Sequence, residues 1–358
     1  MSNQIKATDY SILIGLDSNE KLNDFLIENY SNSKKIIITD EHVFEHWIEN
    51  LITSVHELHK AEIIQLPAGE NTKCFDFSIQ VLESLSEYEI NRQDVVINFG
   101  GGVISDLGGF VASIYKRGIS FINIPTTLLS QVDASVGGKT GIDLGALKNQ
   151  IGCFSNPEKV FINPSYLSTL PQQELLSGYA EMLKHGLVYS KTHWEAIKLI
   201  DFNNQNQLIE LIKQSVEIKN EIVNIDPKEE NIRKILNFGH TIGHAIEGVL
   251  LEKNTPIPHG YAIAWGMITE SYIAFKKELL NQLEFDEINT FISNLYPKIQ
   301  LSQTNIDSLI SLMKHDKKNN DNRINFTLIS GIGKAVINEY VDELLIKEAL
   351  GFMLESKT

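Results

Sequence analysis

The stretch Asp94-Val95-Val96-Ile97-Asn98-Phe99-Gly100-Gly101-Gly102-Val103-Ile104-Ser105-Asp106-Leu107-Gly108-Gly109-Phe110 decides the fold class. A β-branched apolar run of strand length ends in three glycines, and a largely apolar segment of helix length follows at once. Such a unit belongs to an α/β layer built on a mostly parallel sheet. Its turn also has the outline of an anion cradle. Backbone N–H groups and the helix dipole would aim at one spot, and residues without Cβ would let a phosphate approach. The spacing matches neither GxGxxG nor GxxxxGK[ST], so glycines kept only for packing explain it equally well.

Outward from this unit, Lys35-Ile36-Ile37-Ile38-Thr39, Ile63-Ile64-Gln65-Leu66, Ser120-Phe121-Ile122-Asn123-Ile124 and Lys159-Val160-Phe161-Ile162 have the same character. They predict buried parallel strands of a Rossmann-like α/β domain over residues 1–170. From Pro171 the pattern turns to a 3.6-residue period, over 172–189 and 208–223, and predicts an all-α domain over 171–358. A length of 358 residues with 42% hydrophobic content can fill two such cores. The net charge of -15 argues against nucleic-acid binding. The first residues lack the build of a signal peptide, and nowhere do about 18 apolar residues run together, so no membrane partner is expected. Cys74 and Cys153 stand far apart, without zinc or disulfide spacing. The expected setting is the cytoplasm. Cations beside glycine, asparagine or histidine, at Arg117, Lys139, Lys148 and Lys184, suggest a small anionic ligand.

The second half carries Arg233-Lys234-Ile235-Leu236-Asn237-Phe238-Gly239-His240-Thr241-Ile242-Gly243-His244-Ala245-Ile246-Glu247. On one continuous helix, positions 233, 237, 240 and 244 would share a sector of roughly 60°. His240 and His244, four apart, could reach one metal ion. His259, pinned in Pro256-Ile257-Pro258-His259-Gly260, and Glu181, which would share a helical face with Lys184 and His185, are further candidate ligands. Read alone, Glu181 and Lys184 suit an ordinary surface ion pair. Lys317-Lys318-Asn319-Asn320-Asp321-Asn322 reads as a polar loop.

Taken together, successive blocks resemble the 3-dehydroquinate synthases, members of the sugar-phosphate cyclase superfamily. They are Phe99-Gly100-Gly101-Gly102-Val103 with Asp106-Leu107, Arg117-Gly118, Pro125-Thr126-Thr127-Leu128-Leu129, Gln131-Val132-Asp133, Ser135 to Gly141, Lys148-Asn149, Gly178 to Lys184, Leu236 to Thr241, His244 to Glu247, His259-Gly260 and Asp316-Lys317-Lys318. They run in order from about Leu66 to Lys318. The resemblance implies a zinc or cobalt ion on Glu181, His240 and His259, with His244 a proton-transfer residue instead of a ligand. It implies substrate contacts from Lys139, Asn149, Lys184, Lys219, Arg233, Asn237 and Lys317, an acid/base role for Glu229, and Arg117 reaching a substrate phosphate across a homodimer interface. NAD would be held by Gly101, Gly102, Asp106, Thr126, Thr127, Asp133 and Lys148, with Asp40, Glu70 and Lys73 nearer its adenosine end. Ser105, Tyr261 and His185 depart from the family's usual glycine, glutamate and tyrosine.

The implied substrate is the sugar-acid phosphate 3-deoxy-D-arabino-heptulosonate 7-phosphate, and the product is 3-dehydroquinate, in the shikimate route to chorismate and the aromatic amino acids. The implied course is oxidation by NAD, elimination of phosphate, re-reduction and intramolecular aldol closure, a lyase reaction overall. A sister cyclase, a metal-dependent polyol dehydrogenase and a non-catalytic NAD-binding relative are the alternative readings. The cation set speaks against the dehydrogenase, and the intact Glu181, Lys184, His240 and His259 speak against the non-catalytic relative.

Overall fold

A computed structural model describes residues 4–145, 147–314 and 323–355; the candidate Lys317 lies outside them. The chain divides into two compact units, residues 1–175 with 201–220, and residues 176–200 with 221–358. The first unit thus takes in a later segment, Asp201–Asn220, that the expected single cut after residue 170 assigns to the second.

The strands of the first unit are β1 (Gln4–Lys6), β2 (Ser11–Ile14), β3 (Lys35–Asp40), β4 (Glu62–Leu66), β5 (Val95–Gly100), β6 (Ser120–Pro125), β7 (Lys139–Leu144), β8 (Leu147–Phe154) and β9 (Lys159–Ile162). Helices α1 (Ser18–Tyr30), α2 (Glu41–Ser54), α3 (Phe75–Glu87) and α4 (Gly102–Ile114) lie between them in sequence. Seven strands form one sheet in the order β1-β2-β9-β6-β5-β3-β4, parallel except for β1 against β2. All five strands expected from the sequence are in it. The alternation of a strand explains why the runs are apolar throughout: Ile37, Ile97 and Ile122 enter one core cluster with Leu22 and Leu26 of α1, while Ile36, Ile38, Val96 and Phe121 enter another with Val81, Ile104 and Leu107. Both faces are covered, so neither can be polar. Strands β7 and β8 form a separate antiparallel hairpin.

The chain order also fixes where a ligand can enter this sheet. From β3 the chain moves outward to β4, then returns to place β5 on the other side of β3 and continues to β6. Such a reversal opens a crevice at the carboxyl ends of the two strands flanking it. Those ends are Asp40 and Gly100.

The helices that follow are α5 (Gln172–Tyr189), α6 (Lys191–Ile197), α7 (Gln205–Ile225), α8 (His240–Glu252), α9 (His259–Lys276), α10 (Gln282–Leu295), α11 (Ile306–Lys314) and α12 (Glu343–Glu355). The second unit is mostly helical, with the addition of an antiparallel pair, β10 (Ile324–Ile329) and β11 (Ala335–Val341). Its central helix is α9, buried along most of its length. A Cβ on Gly266 of α9 would lie 2.0 Å from the Gly239 carbonyl oxygen, so here α9 meets the chain just before α8 backbone to backbone.

That contact corrects one expectation. The segment 233–247 is not one helix: a 3₁₀ turn, Ile232–Asn237, ends at Phe238, Gly239 takes a left-handed φ of 80°, and α8 begins at His240. Arg233 and Asn237 therefore do not share a helical face with His240 and His244. The close approach at Gly266 leaves no room for the chain to continue straight, and glycine supplies the turn at little conformational cost.

Candidate active site

In the second unit, three elements bring Glu181, His240 and His259 together. Glu181 lies inside α5, and each histidine is the first residue of its helix, His240 of α8 and His259 of α9. Glu181 Oε1 is 3.7 Å from His240 Nε2 and 3.8 Å from His259 Nε2. The Glu181 side chain is 1% exposed, and its Oε1 has no hydrogen-bond partner among the described residues. Lys184, equally buried, sets its ammonium against Oε2 as an ion pair. Glu181 and Lys184 are thus no surface pair. A buried carboxylate oxygen without a donor, as at Oε1, is costly unless something else takes its lone pairs.

The histidines are oriented as ligands would be. His240 Nδ1 is 3.2 Å from the Phe238 carbonyl oxygen, and His259 Nδ1 is 3.1 Å from Glu247 Oε2. Both Nε2 atoms are left facing Glu181, and hydrogen bonding at the second nitrogen is what commonly fixes a metal-binding imidazole. Burial, then the Lys184 ammonium and the neighbouring His244 and His259, hold His240 well below its ordinary 6.5, so its ring stays neutral. The donor set of one carboxylate and two imidazoles suits a divalent zinc or cobalt ion with coordination positions left open. His244 is exposed, its ring 5.2 Å from that of His240 and 5.9 Å from that of His259. It faces a second cluster, with Glu247 and His259.

Glu247 and Glu270 have no assigned role in the sequence reading, yet both support this centre. Glu270, on α9 and fully buried, accepts from the backbone N–H of Gly239 at 2.6 Å and of Ile242 at 3.1 Å, and so pins the start of α8. Burial pushes its carboxyl up to about 8, with the backbone donors pulling it back. The signal for Glu270 was a lone carboxylate amid the apolar run of α9. For Glu247 it was the spacing of three and seven residues from His244 and His240 on one helix.

Nearby in sequence, Arg233 is 2% exposed and donates from Nη1 to the Pro227 carbonyl at 2.6 Å. Asn237 donates from Nδ2 to Glu229 Oε1 at 2.7 Å, and Glu229 holds a left-handed φ of 60° that is uncommon outside glycine.

The first unit gathers most of the residues expected to hold a nucleotide. Gly101 and Gly102 begin α4 at the end of β5, Thr126 and Thr127 follow β6, and Asp40 ends β3, so three adjacent parallel strands present them at their carboxyl ends. The packing-only reading of the glycines separates position by position. A Cβ at Gly108 would strike Asn98 Oδ1 at 1.9 Å, whereas one at Gly102 would meet only Ala134, at an ordinary 3.4 Å. Gly108 serves packing; the bare backbone at Gly102 fits a cradle. Thr126 Oγ1 is buried without a hydrogen-bond partner among the described residues. Buried Lys73 joins Asp106 Oδ2 and Asn149 Oδ1, each at 2.5 Å. Burial lowers the Lys73 ammonium, but Asp106 and Glu70 outweigh it and raise the net value. Lys148 lies 4.0 Å from Glu70, and Lys219 lies 2.7 Å from Asp133. Asp40 uses its carboxylate to cap α2, accepting from His42 and Val43. Lys139 is exposed at the start of β7. Arg117 is exposed in a turn where Lys116, Arg117 and Gly118 all have positive φ. No hydrogen bond or ion pair among those described joins Arg117 to another candidate.

No helix among the described residues is long and apolar enough to cross a membrane. Residues 63–177 match the 3-dehydroquinate synthase N-terminal family, and residues 178–319 match the 3-dehydroquinate synthase C-terminal family. The 3-dehydroquinate synthase of Parabacteroides distasonis is 41% identical over 351 residues, covering 98% of this chain and 99% of its own. That of Thermoanaerobacter pseudethanolicus is 38% identical over 351 residues, covering 96% and 97%. Among solved structures, 2-deoxy-scyllo-inosose synthase complexed with carbaglucose-6-phosphate, NAD+ and Co2+ superposes with a TM-score of 0.84 at 25% identity, covering 98% of this chain and 99% of that one. An NADH-dependent butanol dehydrogenase from Thermotoga maritima shares the fold at 12% identity, with a TM-score of 0.70 and 99% of both chains covered.

Proposed function

The chain belongs to the 3-dehydroquinate synthase family, and from that membership we propose that it converts 3-deoxy-D-arabino-heptulosonate 7-phosphate into 3-dehydroquinate and phosphate. It is then a carbon–oxygen lyase of the shikimate route to chorismate, working in the cytoplasm as a homodimer. The observation that carries the reading is the buried Glu181 carboxylate, whose Oε1 has no hydrogen-bond partner among the described residues and faces the Nε2 atoms of His240 and His259.

Glu181, His240 and His259 would hold a zinc or cobalt ion, and Gly101, Gly102, Asp106, Thr126, Thr127, Asp133 and Lys148 would hold NAD, with Asp40, Glu70 and Lys73 toward its adenosine end. NAD would supply a reversible hydride acceptor there, and the ion would supply a Lewis acid for the substrate's oxygens. Everything else falls to side chains. Lys184 gives Glu181 a counter-charge and presents its remaining N–H bonds to a substrate hydroxyl. The Arg233 guanidinium, held at Nη1 by the Pro227 carbonyl, would fork onto a carboxylate or phosphate. Lys139, Asn149, Lys219 and Lys317 add contacts to the anionic ends, and Arg117 reaches a phosphate from the second copy. Holding both ends of a flexible chain lets successive steps share one geometry. Glu229, its orientation set by Asn237, and exposed His244 are the proton carriers: each can accept a proton from substrate and give it back.

The test is to supply substrate in large excess over NAD and follow inorganic phosphate and NADH together. Phosphate release continuing far beyond the NAD supplied, without NADH accumulation, is expected. NADH accumulating one for one without phosphate would make the chain a dehydrogenase instead.

A further inference from the structure

We propose that Glu247 is a positioning residue that decides which of two overlapping donor sets takes up the metal. The inference rests on the reading that Glu181, His240 and His259 hold the ion. His259 belongs to two groups of metal-capable side chains, one with Glu181 and His240 and the other with His244 and Glu247. Its two ring nitrogens divide between them: Nε2 is 3.8 Å from Glu181 Oε1, and Nδ1 is 3.1 Å from Glu247 Oε2.

An ionised carboxylate can only accept, so the proton of a neutral His259 ring sits on Nδ1 and the lone pair on Nε2. That tautomer ligates only toward Glu181. The same hydrogen bond occupies His259 Nδ1 and Glu247 Oε2, one atom from each of two members of the alternative set. Glu247 is held for this task. It is 7% exposed, and it lies on α8 three residues beyond His244 and seven beyond His240, so one face of α8 addresses the first residue of α9. Without the carboxylate, the ring can take the other tautomer and the second set becomes available.

The experiment uses the full chain with zinc or cobalt added to metal-free protein. Zinc affinity is measured by competition with a chelating dye, and ligand geometry by the visible absorption of the cobalt form. Glu247→Ala should weaken zinc by about 10- to 100-fold, the range typical of lost partners to a ligating histidine, and change the cobalt spectrum. Glu247→Gln keeps an acceptor for Nδ1–H and should restore most of the affinity and the wild-type spectrum. Wild-type affinity and spectrum in Glu247→Ala, or equal losses in both variants, would overturn the proposal. Should the alanine variant fail to fold, the ¹⁵N signals of His259 in the metal-free wild-type chain decide the matter. A proton on Nδ1 is expected, and a proton on Nε2 would refute it. Failure of the parent reading looks different: His240→Ala would then keep stoichiometric zinc, whatever the Glu247 variants do.

Discussion

Replacing Gly266 by alanine tests whether the close approach of α9 to the start of α8 aligns the proposed metal ligands. The new Cβ would sit 2.0 Å from the Gly239 carbonyl oxygen and 2.9 Å from the Gly243 nitrogen, where ordinary contact begins at 3.4 Å. The obstacle is backbone and cannot rotate away. The two segments must part by more than about an ångström, because a packed interior has no slack to absorb the methyl. Overpacking of this kind costs about 1–3 kcal/mol, partly offset by the ~1 kcal/mol that alanine gains over glycine inside a helix. The net cost is then up to about 2 kcal/mol, and for a unit of this size the melting temperature should fall by up to about 8 °C. Zinc should suffer more than stability does. His240 follows Gly239 directly, and metal–ligand distances tolerate only about 0.2 Å of error, so affinity should drop at least about tenfold. Gly351→Ala is the control: nothing lies within 4 Å of its Cβ on α12, and the same substitution should be neutral or stabilise by about 0.5–1 kcal/mol. Calorimetry and chelator competition on both variants give the answer. A Gly266→Ala protein with wild-type melting temperature and zinc affinity would refute the idea that this contact sets the ligand geometry.

Lys184→Met leaves the buried Glu181 carboxylate without its counter-charge, and breaking a buried pair in this way costs about 3–5 kcal/mol. The metal-free variant should melt well below wild type and recover part of the loss when zinc is added; an unchanged metal-free melting temperature would contradict this. His240 gives a pH dependence. Its folded value lies below 6.5, so the unfolded chain takes up the proton first as the pH falls. The contribution is therefore intact above about 6.5 and is lost as the pH falls below it. Glu270 acts in the opposite sense, because its raised carboxyl favours the folded chain toward low pH. Comparison of metal-free wild type with His240→Asn isolates the histidine. The variant should lose less melting temperature between pH 7.5 and about 5.5, and parallel curves would sink the assignment.

The parallel sheet was legible because Ile36 to Ile38, Val95 to Phe99 and Phe121 to Ile124 are apolar on both faces, a pattern that only a doubly covered layer asks for. The β7–β8 hairpin was not, since its glycines and polar residues lack alternation. Strand β10, Ile324 to Ile329, carried a strand signal that a helix-dominated reading of the second half passes over. Glu181 and the two histidines of the centre were legible as residue types, but their convergence belongs to three separate elements. The break at Gly239 could not be read from residues 233–247 alone. It is imposed by Gly266, far along the chain, which no local period reports. Glu270 and Glu247 escaped for the same reason: their value depends on which backbone and which ring they meet.

That each candidate histidine opens its own helix has an electrostatic consequence. A helix N-terminus behaves as roughly half a positive charge, so both imidazoles sit at positive poles. The only anionic member of the donor set is Glu181, and Lys184 already opposes its charge. A dication placed there would remain under-neutralised by the protein. Its surroundings would favour an incoming oxygen anion over a neutral hydroxyl, so the strongest small-molecule competitors should be chelating anions, while uncharged polyols of the same size compete poorly.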